Sequence, residues 1–214
     1  MKILRYIYKA YWMFNIKIAP VYQTWFTKLL FLMNGVKYGK NLVAEGIPFI
    51  NVSLNGSFTV GDNFIMHNDK FHNSNGRREQ CMFKVVNDAK LTIGNNVGMS
   101  ATAIMCHQKV TIGDNVMIGG NTVIYDTDFH SLKADNRTDS KSDKSNTAKA
   151  PVKIHDNVFI GSHCTILKGV TIGECSIVGS CSVVTKSIPP YQIWAGNPAR
   201  FIREIKQVYE TVSL

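Results

Sequence analysis

The sequence predicts an all-β fold, a parallel β-helix built from six-residue repeats, with a helical segment at its N-terminus and a C-terminal helix. Three observations predict it. Aliphatic residues step by six through Ile154, Ile160, Ile166, Ile172, Val178 and Val184, and Gly161, Gly173 and Gly179 follow three of them directly. The same phrase recurs upstream as VGDNF from Val60, IGNNV from Ile93 and IGDNVMIGG from Ile112, where Ile112, Ile118 and Ile124 again step by six. Six is a multiple of the strand period of two and not of the helical 3.6, so short extended runs must alternate with tight turns.

One such strand cannot bury its own apolar face, but stacked coils set each aliphatic above the next and share one continuous core. Four positions beyond each aliphatic stand Val158, Cys164, Val170, Ser176, Ser182 and Ile188, mostly small or β-branched residues that suit a strand flank or a crowded corner. Between Ile93 and Ile112 the step is nineteen, so one turn there holds an extra residue. A chain of 214 residues is long enough for one elongated domain with appendages and needs no second core. The repeat is expected over 41–190, with loop insertions near 67–84 and 130–150.

The N-terminal segment, residues 1–40, is aromatic and apolar. At helical spacing Lys2, Arg5 and Lys9 fall on one side, and Ile3, Leu4, Ile7, Tyr8, Tyr11 and Trp12 share the other. Pro20 separates two helical pieces. Lys17 and Lys28 interrupt the segment too often for a membrane-spanning helix. It is expected to cap the open end of the solenoid or to pack between subunits, while a basic stripe opposite an aromatic face also suits peripheral contact with a membrane through residues 1–33. At the other end, 191–214, the chain leaves the repeat at Pro189 and Pro190, turns at Gly196 and Asn197, and is expected to start a helix near Pro198. Phe201, Ile205, Val208 and Val212 would form its apolar stripe.

The formal charge of +9 implies attraction to anions: nucleic acid, membrane or a phosphorylated carrier. No nucleic-acid motif accompanies it. Five cysteines without a Cys-x-x-Cys pair, and without a secretory signal, fit free thiols in a cytoplasmic protein. Cys164, Cys175 and Cys181 lie inside the repeat and are expected to be buried filler.

Two stretches break the period. The second, from His130 to Ala150, is polar, charged and nearly free of apolar residues, so it cannot be coil core. Long loops in a regular solenoid are usually functional or disordered. It opens at YDTDFH, where His130 stands one period after Ile124 and the chain leaves a rigid coil. The first interruption carries His67, His72, Arg77 and Arg78, and their pattern assigns them no role.

The phrases DTDFHSL, PVKIHDNVFIG, ILKGVTIG, GSCSVVTKSIPP and IWAGNPARFIREI resemble the hexapeptide-repeat, left-handed β-helix acetyltransferases. Within them they are similar to the maltose and galactoside O-acetyltransferase type and its polysaccharide-biosynthesis relatives. The resemblance covers about Thr92 to Ile205. It implies a left-handed helix, a homotrimer with active sites between subunits, and acetyl-coenzyme A as acyl donor with no metal. It also implies that His130 is the general base, that Phe159 lines the pantetheine channel beside Gly161 and Ser162, and that Gly179, Ser180, Thr185, Lys186, Arg200 and Arg203 contact the coenzyme. The chain departs from the family at the asparagine that often faces the acceptor, with Ser100 nearby, and in the length of the loop after His130.

Acetyl transfer from a thioester needs a base for the hydroxyl proton, donors for the developing oxyanion and a track for a polyanionic carrier. An imidazole, with an ordinary pKa near 6.5, suits the first role. Asp126 or Asp128 is expected to orient it, with Asp128 assigned to catalysis and Asp126, with Ser100, to the acceptor. Ordinary turn chemistry explains either aspartate equally well. A backbone amide near Ser162 is the expected oxyanion donor, and Lys186, Arg200 and Arg203 are the expected phosphate contacts. No cysteine accompanies His130, which favours direct transfer to a sugar or glycan hydroxyl in a ternary complex. An N-acetyltransferase acting on an amino sugar or xenobiotic would use the same parts. A γ-carbonic-anhydrase-like zinc protein would draw on His67, His72, His107, His155 and His163, and a non-catalytic scaffold would need neither His130 nor the basic tail.

Overall fold

The computed structural model describes residues 2–73, 76 and 78–206. From Lys37 onward the chain winds through six coils, each laying one short strand on each of three faces. Face A stacks Lys37–Tyr38, Ser57–Val60, Lys90–Ile93, Lys109–Ile112, Val152–Ile154 and Thr171–Ile172. Face B stacks Val43–Glu45, Ile65–His67, Gly98–Ser100, Met117–Ile118, Phe159–Ile160 and Ile177–Val178. Face C stacks Phe49–Val52, Met82–Val85, Ala103–Cys106, Val123–Tyr125, Thr165–Ile166 and Val183–Val184. Each coil pairs in parallel register with the next, so Ile93, Ile112, Ile154 and Ile172 lie one above another on face A. Ile118, Ile160 and Val178 do so on face B, and Ile104, Ile124, Ile166 and Val184 on face C. All of these are buried and form one core running the length of the helix.

The repeat phrase is a corner. Along the A–B edge Asn41, Asn63, Asn96, Asn115 and Asn157 all adopt left-handed backbone, with φ of 55–59°, a region asparagine tolerates better than other side chains. Their amides form a ladder: Asn41 donates to Asn63 at 2.9 Å, Asn63 to Asn96 at 2.7 Å, Asn96 to Asn115 at 2.9 Å and Asn115 to Asn157 at 3.1 Å. The residue before each rung caps the coil below. The carboxylates of Asp62, Asp114 and Asp156 accept from the amides of Lys40, Asn95 and Asp114 at 2.7–2.9 Å. The preceding glycine leaves room for that carboxylate, because a Cβ on Gly94 would collide with Asp114 and with the backbone of Gly113.

The nineteen-residue step resolves into core spacings of six, five and eight from Ile93 through Met99 and Ile104 to Ile112. The extra length therefore lies at the C–A edge, in the turn at His107 and Gln108.

At the N-terminal end, α1 (Lys2–Met13) leads through a turn of π-helix, Phe14–Ile18, into α2 (Ala19–Met33), with Pro20 in the first turn of α2. α2 buries Ala19, Gln23, Thr27 and Phe31, one stripe at a spacing of four, against the first coil. Phe31 meets Phe58 at 5.9 Å and Phe58 meets Phe83 at 5.2 Å, continuing the aliphatic core as aromatic rings. The Gln23 side chain accepts from the Gly46 amide at 2.8 Å, and the Thr24 hydroxyl accepts from Ala44 at 3.0 Å, so the cap also occupies backbone groups of the outermost coil.

The C-terminal end departs from expectation. Instead of a helix from Pro198, the chain forms a hairpin in which Arg200–Glu204 runs antiparallel to Gln192–Ala195, itself added to the end of face B. Backbone pairing to a ready sheet edge outweighs the helical spacing of Phe201 and Ile205. Val208 and Val212 lie outside the described residues. Cys164 is buried as expected, but Cys175 is half-buried and Cys181 exposed, both at left-handed corners with φ of 56° and 60°.

Asn96→Ala removes one rung and places a β-carbon without a polar partner in left-handed backbone, and should cost about 1–2 kcal/mol. Asn96→Gly should cost less, and Gly94→Ala more, because its new atom meets backbone. Denaturant unfolding of the three variants checks the order.

Candidate active site

The chain leaves the sixfold rhythm after Tyr125. Asp126 is fully buried and its carboxylate accepts from three consecutive amides, His107, Gln108 and Lys109, at 2.7–2.8 Å. It therefore anchors the enlarged turn of the coil below and is not exposed for an acceptor, which corrects the sequence expectation. The Asp128 amide donates to Ala148 and the Ala150 amide to Asp126, both at 3.0 Å, and Thr127 bridges Lys149. These contacts close the neck of the insertion, so the loop begins and ends at one rigid point. Phe129 takes left-handed backbone, φ 64°, and sets its ring against Tyr125 at 5.0 Å and His107 at 5.8 Å.

His130 follows, largely exposed, and its orienting partner comes from farther along the same loop. The short helix α3 (Ser140–Ser145), N-capped by Asp139, presents Asp143. One Asp143 oxygen lies 2.6 Å from His130 Nδ1, and the other accepts from the Ser131 amide at 2.6 Å. Arg137 donates to the Ser131 carbonyl at 2.7 Å, and Asn136 to its hydroxyl at 3.0 Å. The His130 ring beside Asp143, then the Ser131 amide, hold that carboxyl below the usual range. An ionised carboxylate only accepts, so the Nδ1 it contacts carries the proton and the neutral ring keeps its lone pair on Nε2. Among the described residues no hydrogen-bond partner meets that Nε2.

Asp128 is not the partner of His130. It pairs with Lys168 at 2.7 Å, tying the loop neck to the next coil. Sequence reasoning missed Asp143 altogether; its only signal was an N-cap aspartate and a short polar run within the loop.

The other expected site residues lie elsewhere on the prism. Phe159 stands half-exposed on face B beside exposed Met117. A groove of about 190 Å³ there is lined by His67, Gly98, Ser100, Met117 and Phe159, so Ser100 and Phe159 share one surface. His67, left unassigned from sequence, borders it and sits 2.5 Å from Glu45 through Nδ1. Gly161 and Ser162, then Gly179 and Ser180, occupy the B–C edge of successive coils, where a Cβ on Gly161 would strike Ser180. Thr185 and Lys186 follow face C of the last coil, and Arg200 and Arg203 lie on the terminal hairpin, exposed. Among the described residues no acidic side chain pairs with these three cations. His130 rises from the C–A edge, while Phe159 lies on face B, the face opposite that edge; one chain does not bring them together.

A second hollow, about 360 Å³, lies beside the loop neck between His107, Phe129, Lys144, Thr147 and Lys149. Burial lowers the pKa of His107. Burial pushes the thiols of Cys81 and Cys106 up to about 12, which leaves both unreactive as nucleophiles at neutral pH. The first insertion gains a role here: Phe71 packs edge-on against Trp12 at 5.2 Å and Tyr11 at 5.9 Å, and His72 Nε2 lies 3.4 Å from the Ile16 carbonyl, so this loop clasps the N-terminal helices. His72 Nδ1 pairs with Asp69 at 2.9 Å. Among the described residues no three His, Cys, Asp or Glu side chains converge as a metal-binding set.

The family model for the bacterial transferase hexapeptide, six repeats, matches residues 151–186, and that for the hexapeptide repeat of succinyl-transferase matches 109–125. The chain carries hexapeptide repeats over these two stretches. Its β-helix is of the left-handed parallel type. The chain is 44% identical over 99 residues to the galactoside O-acetyltransferase of Escherichia coli, a stretch covering 45% of this chain and 44% of that protein. The match thus spans less than half the length of that curated relative. Among solved structures it is similar to a hexapeptide-repeat-containing acetyltransferase from Vibrio cholerae, at 25% identity, 84% of this chain, 79% of that chain and a TM-score of 0.53. It is also similar to a point mutant of an N-acyltransferase from Bacillus cereus in complex with dTDP and coenzyme A, at 25% identity, 79% and 84% coverage and a TM-score of 0.58.

The depressed pKa of Asp143 carries a sign. Its contribution to loop order is complete above the ordinary carboxylate pKa, about 3.9, and is lost as pH falls through the lower folded value. Hydrogen exchange at Ser131, corrected for intrinsic rate, should therefore stay slow through that ordinary range and rise only below it. In Asp143→Asn, exchange at Ser131 should already be fast at neutral pH.

Proposed function

We propose that this protein is an acetyl-coenzyme-A-dependent O-acetyltransferase acting on a hydroxyl of a sugar or glycan precursor, in the cytoplasm and as a homotrimer. The observation that carries the reading is the His130–Asp143 pair, with Nε2 directed to a basic role. His130 Nε2 takes the acceptor hydroxyl proton as the oxygen bonds to the thioester carbonyl carbon. Asp143 stabilises the imidazolium and keeps the ring in place. When the carbon–sulfur bond breaks, the proton passes from Nε2 to the departing sulfur, and His130 returns neutral. A backbone amide near Ser162 faces the developing oxyanion.

The chain's own residues fit the donor. Phe159 offers an exposed ring to the pantetheine arm, with Gly161, Ser162, Gly179, Ser180 and Thr185 along its path. Lys186, Arg200 and Arg203 offer positive charge to its phosphates. Since His130 and Phe159 lie on opposite sides of one prism, a second copy must supply the missing half, and three copies close such a ring. Ser100 lies beside Phe159 and serves the acceptor in this reading. A second reading, N-acylation of an amino sugar, draws on the similarity to the Bacillus cereus N-acyltransferase. A thiol-release assay across sugars, nucleotide sugars and amino sugars separates the two.

His130→Ala should lower kcat by roughly 10²–10⁴-fold with coenzyme binding retained. Phe159→Ala should weaken coenzyme use. Mixed trimers of these two variants should regain about a quarter of the wild-type sites, because each interface then draws its intact halves from different chains. Absence of any recovery on mixing would place the site within one subunit.

Lys186→Ala, Arg200→Ala and Arg203→Ala should raise the KM for acetyl-coenzyme A with little change in kcat, since they are assigned to a part of the donor remote from the reacting bond. Steady-state kinetics at saturating acceptor check this.

A further inference from the structure

The N-terminal helices expose far more apolar surface than a cap requires. α1 buries no residue. At 100° per residue Lys2, Arg5 and Lys9 form a narrow stripe, and Ile7 and Tyr11 lie opposite, flanked by Ile3 and Leu4. Ile3, Leu4 and Ile7 are 75%, 70% and 61% exposed. α2 turns its buried stripe to the solenoid and presents Val21, Tyr22, Trp25, Leu29 and Leu32 on the other side, with Trp25 at 67% and Leu32 at 73%. The Phe71 ring holds α1 to the body through Tyr11 and Trp12, and the His72 contact to Ile16 holds the π-helical turn that joins α1 to α2.

Charge identifies the occupant. The sequence has no Asp or Glu before Glu45, yet it carries Lys2, Arg5, Lys9, Lys17, Lys28, Lys37 and Lys40 over the same span. A second copy would bring the same excess of positive charge to the contact and gain no counter-charge. An anionic bilayer supplies both an apolar layer for the aliphatic face and negative headgroups for the basic stripe. Tyr6, Tyr8, Trp12 and Trp25 are the residue types that settle at the headgroup boundary. No described helix is long and apolar enough to cross a membrane, and α1, at twelve residues, is about 18 Å long against a hydrocarbon core of roughly 30 Å.

We propose that α1 and the outer face of α2 form a docking surface for a bilayer containing anionic phospholipid, with the aliphatic face of α1 in the acyl boundary and Lys2, Arg5 and Lys9 among the headgroups. The inference does not depend on acetyl transfer, because binding is read without turnover.

The test is cosedimentation of the full chain with vesicles of pure phosphatidylcholine or of phosphatidylcholine with a quarter phosphatidylglycerol, alongside analytical ultracentrifugation without lipid. Binding is expected to the anionic vesicles only, with a blue shift in tryptophan emission, and to fall as salt rises. Replacing Lys2, Arg5 and Lys9 together by Glu should weaken it by about a hundredfold or more. Ile7→Asp, at a position 61% exposed, should weaken it by about tenfold or more with the sedimentation coefficient unchanged. The proposal is overturned by equal binding to both vesicle types, by binding to neither, or by an Ile7→Asp variant that changes the oligomer's mass and leaves vesicle binding intact. The last result would assign the face to a second copy.

Discussion

The structure depends on how closely one coil can lie on the next at the A–B edge. Strands stack at about 4.8 Å, and at that spacing the corner must turn in left-handed backbone while a carboxylate or amide from the coil above caps the amide below. Gly94, Asp114 and Asn115 meet these demands together, and the asparagine recurs from Asn41 to Asn157 without a break, with Lys40 and Asn95 in place of the aspartate and His155 in place of the glycine. The consequence is directional. Both insertions leave from the other two edges: 68–81 from the B–C edge and the His130 loop from the C–A edge. An insertion at the ladder would cost rungs on both sides; an insertion elsewhere costs only its own turn.

That division places His130. The neck formed by Thr127, Lys149, Asp128 and Ala148 gives its loop a rigid origin. Asp126 strengthens it from below by holding three amides of the preceding coil, and Lys168 from above through Asp128. The two aspartates nearest His130 in sequence are thus committed to backbone and to lysine, and the orienting role passes to a residue thirteen positions on. Side-chain direction at a solenoid corner decides this, since consecutive residues there point to different edges.

The fold was legible because its determinants are local and repeated: the sixfold aliphatic spacing and the corner asparagine each recur several times. The roles given to His130 and Phe159 rested on the resemblance, and only the position of His130, where the period ends, was legible in the repeat itself. Asp143 was not, because nothing periodic ties a polar loop residue to a histidine thirteen positions away. Arg200–Glu204 was misread for a related reason: Phe201 and Ile205 have helical spacing, but a strand edge at Gln192–Ala195 offers hydrogen bonds that spacing does not report. The function of the first insertion was invisible because Phe71 acts on Tyr11 and Trp12, sixty residues upstream.

A solenoid has two open ends, and each is an unpaired sheet edge that invites another chain. Here the ends are closed by different means. α2 crosses the first coil with an apolar stripe and supplies Gln23 and Thr24 to its backbone, while the last coil is closed by adding Gln192–Ala195 and folding Arg200–Glu204 back on it. A helix closes an end by covering it, so its outer side is free to carry an unrelated surface. A hairpin closes an end by extending the sheet, so its outward side chains continue the face already in use. The apolar, acid-free surface therefore stands at the helical end, and Arg200 and Arg203 extend face B, the face that holds Phe159 and Ser100. The two closures thus set different surfaces at the two ends, separated by the length of the core and free to change independently, because each coil touches only its neighbours.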